Sequence, residues 1–225
     1  MIGALPCEAD DFLRGRGRFA PGRPVVDSLG RTVIFLVLGG LIYGAVMGSY
    51  AVRLPGHAVQ LFLSAVKVPM LLLATTALCV PSFYVVNVLA GLRDDFGDAL
   101  QAIVTAQACL TVVLASLAPV TAFLYISGIE YGTAVLLNAM MFGFAAVAAQ
   151  AMMHRYYRPL IARSWRHVAM LAFWFVLYAF VGTQMGWVLR PFIGDPKMAP
   201  EFFRSDAWGN AYEVILRLVG RVLPP

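Results

Sequence analysis

Between residues 32 and 189 the chain is apolar in five blocks, each closed by a short polar break. A bilayer's hydrocarbon core is about 30 Å thick and takes about 20 consecutive apolar residues in a helix. Thr32–Val52, Leu61–Leu92, Ala99–Ile126, Gly132–Met153 and Val168–Leu189 each meet that length. The pattern predicts an all-α fold, a polytopic transmembrane bundle of five helices over residues 32–189. A polar, Arg/Gly-rich arm, 1–31, precedes it and is expected to be loose. A tail, 190–225, follows. The second block exceeds a bilayer's thickness and contains Pro69 and Pro81, so it needs tilt, a kink or an interfacial start. Pro119 interrupts the third block. Each proline deprives a carbonyl of its helical partner, which a hinge of a transporter or a static irregularity of a bundle would both accommodate.

The tail carries a pattern of its own. Asn210-Ala-Tyr-Glu213 has the N-cap and acidic N3 spacing of a capping box. Beyond it Glu213, Arg217 and Arg221 share one face, with Val214, Ile215, Leu218, Val219 and Val222 filling the rest. A C-terminal amphipathic helix, too short to cross, is expected on the membrane surface or against the bundle.

Composition sharpens this. Charged residues are only 13% of the chain, against about a quarter in soluble domains, and mean hydropathy is +0.77. Of 17 basic residues only Lys67 and Lys197 are lysine. The net charge of +5 follows membrane topology and points to no nucleic-acid partner. Arg14, Arg16, Arg18, Arg23 and Arg31 precede the first span, and Arg155, Arg158, Arg163 and Arg166 lie between the fourth and fifth. That asymmetry predicts a cytoplasmic N-terminus and an extracytoplasmic C-terminus. Cys7, Cys79 and Cys109 have no disulfide or zinc spacing.

Small residues mark helix-packing faces. Gly40, Gly44 and Gly48 form one stripe, Gly182 and Gly186 a shorter one. Glycine at that spacing lets backbones approach closely, either within the bundle or in a homo-oligomer or with a protein partner.

Few polar residues lie at membrane depth. Lys67 is the only basic one well inside a span. It either lifts its ammonium to the interface or forms a structural ion pair, or else it belongs to a substrate or ion site. Glu130 and Asp195 are its candidate partners. Asn138, Gln150 and Gln184 are explained by interhelical hydrogen bonds. Asp94, Asp95 and Asp98 supply either a capped loop or oxygen ligands for a cation. No HExxH, CxxC, phosphate loop or nucleophile elbow occurs, and no cofactor or metal is implied. These readings favour a non-enzymatic membrane-embedded subunit or organiser of a larger assembly. The alternative is a small transporter or channel with Lys67 in its pathway.

Three stretches carry a resemblance: Ser64-Ala-Val-Lys67-Val-Pro69 through Cys79-Val-Pro81-Ser-Phe-Tyr84-Val-Val-Asn87, then Leu117-Ala-Pro119-Val-Thr121, and Phe173-Trp174 through Arg190-Pro191-Phe-Ile-Gly194 with Phe202-Phe203-Arg204 and Gly209-Asn210. Over about residues 32–220 the chain resembles a family of bacterial five-span membrane proteins of unassigned function. Some members bear an automated actin-binding WH2 label, whose motif this sequence lacks. The layout is also similar to that of the Yip family. The resemblance implies a five-span protein of the bacterial inner membrane and no particular activity.

Arg190, Asp195 and Arg204 are expected to hold the tail on the bundle. Asp195→Ala should therefore expose the tail to added protease, and unchanged cleavage would count against that cluster.

Overall fold

The structure, a computed structural model, describes residues 5–20, 25–53, 57–194, 199–204, 209 and 211–213. Those residues are helical throughout their regular elements and contain no strand. The helices are α1 (Leu5–Arg14), α2 (Val25–Ser49), α3 (Val59–Leu89), α4 (Phe96–Ile126), α5 (Tyr131–Arg163) and α6 (Arg166–Leu189). The last five are long and apolar enough to cross a membrane, giving the fold of a multi-pass membrane protein.

Helix α2 is the centre of the bundle. It packs on α3 and on α4, with α5 outside α4 and α6 outside α3. In lipid no hydrophobic drive brings helices together, so close van der Waals contact must do it. The glycine stripe supplies that contact. A Cβ added at Gly48 would lie 2.6 Å from the Gln60 carbonyl oxygen and from Leu61 Cα. One added at Gly44 would strike the Ser64 carbonyl, and one at Gly40 would lie 3.1 Å from the Pro69 ring. The rungs run in opposite directions along the two helices, as antiparallel neighbours require. Gly39, one residue away, does the same against α4, where its added Cβ would sit 2.7 Å from the Thr111 carbonyl oxygen. Thr111 Oγ1 donates to the Phe35 carbonyl at 3.3 Å and to Ala108 at 3.0 Å. The Gly40–Gly44–Gly48 face is thus occupied inside the chain.

The N-terminal arm is not loose over its described residues. Helix α1 buries Phe12 completely, and its ring lies 5.3 Å from Phe19 and 5.4 Å from Phe35. Tyr156 Oη donates to the Phe19 carbonyl, and Arg31 pairs with Glu8 at 3.4 Å. The cause is simple: two apolar rings of the polar arm, Phe12 and Phe19, pack on Phe35 of α2 and gain more from burial than the arm's glycines lose in freedom. The fourth span also differs from its sequence boundary. Helix α5 continues to Arg163 through Pro159, so Arg155, Arg158 and Arg163 stand on an extended helix rather than in a loop. Buried Met152, Met153, Tyr156, Tyr157 and Leu160 continue its packed face. Of the expected C-terminal amphipathic helix only residues 211–213 are described, and they are helical; the rest lies outside the described residues.

Gly48→Ala and Gly44→Ala should each destabilise the bundle by about 1–3 kcal/mol, because backbone cannot yield to the new methyl. Gly132→Ala, with nothing within 4 Å of its added Cβ, should be neutral. Thermal unfolding in detergent micelles distinguishes them.

Candidate functional site

Helix α6 ends at Leu189, where the chain turns back into the bundle through the cis Arg190–Pro191 bond. The turn lies level with Lys67, about 12 Å or two turns along α3 from its start at Val59. Irregular backbone at such depth exposes carbonyls that lipid cannot satisfy. One face of α3 satisfies them. Gln60, Ser64 and Lys67 follow one another at helical spacing, and all three are fully buried. Lys67 Nζ donates to the Pro191 carbonyl at 3.0 Å and to the Glu201 carbonyl at 3.1 Å. Gln60 Nε2 donates to Pro191 at 3.2 Å and to Ser64 Oγ at 3.0 Å, while Ser64 Oγ donates to the Phe192 carbonyl.

The Lys67 ammonium is buried within the protein, and no ion pair to it is found among the described residues. Its charge is balanced by dipoles. Two carbonyl oxygens accept from it, and the Phe202 ring centroid is 5.2 Å away. Gly194 completes the turn. Its φ is +81°, and an added Cβ would lie 2.8 Å from Ala51 Cβ and Gln60 Cγ, so glycine is needed both for conformation and for space.

The other sequence-predicted residues distribute as follows. Gln184 holds the tail. Its Nε2 donates to the Gly209 carbonyl and its Oε1 accepts from the Ala211 N–H, both at 3.1 Å. Tyr212 stacks on Phe180 at 4.7 Å. Arg190 and Arg204 line one pocket, and the Arg190 guanidinium lies 3.2 Å from the Trp187 ring centroid. Glu130 is exposed at the N-cap of α5 and makes no ion pair with Lys67. Asp195 lies outside the described residues. A Cβ added at Gly182 would lie 3.6 Å from Thr75 Cγ2 of α3, and one added at Gly186 would meet nothing within 4 Å.

Asn138 joins three helices. Tyr43 Oη donates to its Oδ1 at 2.9 Å, and its Nδ2 donates to Tyr125 Oη and to the Ala134 carbonyl. At the opposite end of the bundle Asp95 and Asp98 grip Arg163, at 2.6 and 3.2 Å. Asp95 also meets buried His167 Nε2 at 3.1 Å. These carboxylates clamp α5 and α6 to the start of α4, and among the described residues no three potential metal ligands converge.

Sequence reasoning singled out Lys67 without its companions Gln60 and Ser64. Their i, i+4, i+7 spacing on an otherwise apolar helix was the available signal. No family model, curated protein or solved structure matches the chain, so the geometry alone carries the functional reading.

Lys67→Met should leave the Glu201 carbonyl without its donor and the Pro191 carbonyl with Gln60 alone, at a cost of about 1–3 kcal/mol. The expected result is faster protease cleavage after Leu189 in the intact protein. Cleavage at the wild-type rate would show that Lys67 does not retain the tail.

Proposed function

We propose that the chain is a non-enzymatic integral membrane protein that serves as the membrane-embedded subunit of a larger assembly. One observation carries this reading. Helices α5 and α6 touch each other only sparingly, and a groove of about 230 Å³ lies between them over α4. Small residues Ala106, Ala146, Ala149 and Ala179 line it, together with Gln107 and Gln150. Gln107 is 8% exposed, yet its Oε1 accepts no hydrogen bond. Small side chains that admit a backbone, beside a buried amide oxygen needing a donor, suit a transmembrane helix of a partner.

The transporter alternative draws less support. Lys67 is fully buried and held by backbone carbonyls. An enzyme reading lacks a nucleophile with a matched base among the described residues. The arginine asymmetry supports a cytoplasmic N-terminus and an extracytoplasmic tail, and the sequence resemblance favours a bacterial inner membrane.

The test is native mass measurement of the protein extracted in mild detergent, with identification of whatever accompanies it. A stoichiometric second protein lost from Ala179→Trp, whose indole fills the groove, is the expected result. A bare monomer, or a companion indifferent to that substitution, would sink the reading. A homo-oligomer sensitive to it would make the occupant a second copy.

A further inference from the structure

A second groove, separate from the α4–α5–α6 surface, lies beneath the returning tail. It measures about 420 Å³, within the usual range for ligand pockets of about 300–1,000 Å³. Its walls are Met47 of α2, Leu71 of α3 and the α5 face of Tyr131, Val135, Ala139 and Phe142. Tyr131 to Phe142 spans ~16 Å at 1.5 Å per residue, so the apolar trough runs along α5 from its tail-side end towards the bilayer centre. Val135 and Ala139 are exposed, which opens the trough towards lipid. Its polar end is formed by Arg190 and Arg204.

We infer that this groove binds an anionic phospholipid, with an acyl chain along the α5 trough and the phosphate against Arg190 and Arg204. The charge pattern selects the ligand. Two guanidiniums at one end of an apolar channel match a single molecule that joins a phosphate to a hydrocarbon chain. Each guanidinium has five donors in a planar fork, enough to serve phosphate oxygens beside contacts within the protein. Stacking on Trp187 fixes the plane of Arg190 and reduces the entropy lost on binding. Basic pockets between transmembrane helices recognise anionic headgroups on this same basis. A soluble anion would use the arginines and leave the trough idle. A zwitterionic lipid would bring its own cation to a groove end already lined by two guanidiniums.

The experiment reconstitutes the intact protein in phosphatidylcholine nanodiscs with a minor fraction of phosphatidylglycerol, then counts retained lipids by native mass measurement. One phosphatidylglycerol per chain is expected in preference to phosphatidylcholine. Retention should fall at least about tenfold in an Arg190→Gln, Arg204→Gln double variant, as loss of charge-assisted bonds implies. It should fall similarly in Ala139→Trp, which blocks the trough and keeps both arginines, so a folding defect in the double variant does not decide the matter. Equal retention of the two lipids, or retention unchanged in Ala139→Trp, overturns the site. Thermal protection by inorganic phosphate equal to that by phosphatidylglycerol overturns the lipid in favour of a soluble anion.

Discussion

The bundle depends on the close approach of α2 to its two neighbours. Bilayer lipid is as apolar as leucine, so helices gain nothing by hiding apolar surface from it. They gain by touching one another more closely than lipid can. Gly40, Gly44 and Gly48 let α3 reach α2 backbone to backbone, and Gly39 does the same for α4. Two glycines in succession therefore serve two interfaces, which is why the first long helix is central. The contact also fixes the rotation of α3. With the backbone of residues 60–65 against α2, the side chains of Gln60, Ser64 and Lys67 are turned to the place where the tail re-enters.

That re-entry explains the most expensive residue in the chain. A lysine at membrane depth invites a functional reading. Here the charge answers a structural need created elsewhere. Helix α6 stops short, the backbone after Leu189 is irregular, and its carbonyls face a solvent that cannot donate. Lysine supplies several donors from one long stem, and the carbonyl dipoles and the Phe202 ring offset the cost of burying its charge. Charge and turn are mutually dependent, since each buried without the other would be costly. The same logic operates at the other end, where Arg163 and buried His167 bind the Asp95–Asp98 corner. Polar groups at both ends of the bundle thus fasten the outer helices α5 and α6, which have the least buried surface among the spans.

Long-range pairing is also where sequence reading was weakest. Lys67 stood out because a lone cation in an apolar run is conspicuous. Gln60 and Ser64 did not, because single neutral polar residues near a span end are unremarkable. Glu130 was a reasonable partner for Lys67 by side of the membrane, yet the lysine is held by backbone carbonyls 124 and 134 residues further on. Carbonyls are present at every residue, so no sequence pattern marks which ones become acceptors. Gln184 was expected to bond between spans, and its acceptor and donor were equally unmarked. Its amide meets Gly209 and Ala211, a pairing set by how the tail folds.

The sequence by itself determined the solvent, the helical class and the number of crossings, because hydrocarbon thickness and the need to satisfy every backbone group leave few solutions for five apolar blocks. It also marked the glycine faces, since their spacing is a local property of a helix. The tertiary structure decided which helices those faces meet, that the N-terminal arm buries Phe12 rather than trailing free, and that the tail returns to Lys67. It also decided that Arg190 and Arg204 share one groove. These are relations between segments far apart in the chain. They are governed by donors finding acceptors and by surfaces finding room, which no periodicity within a single segment records.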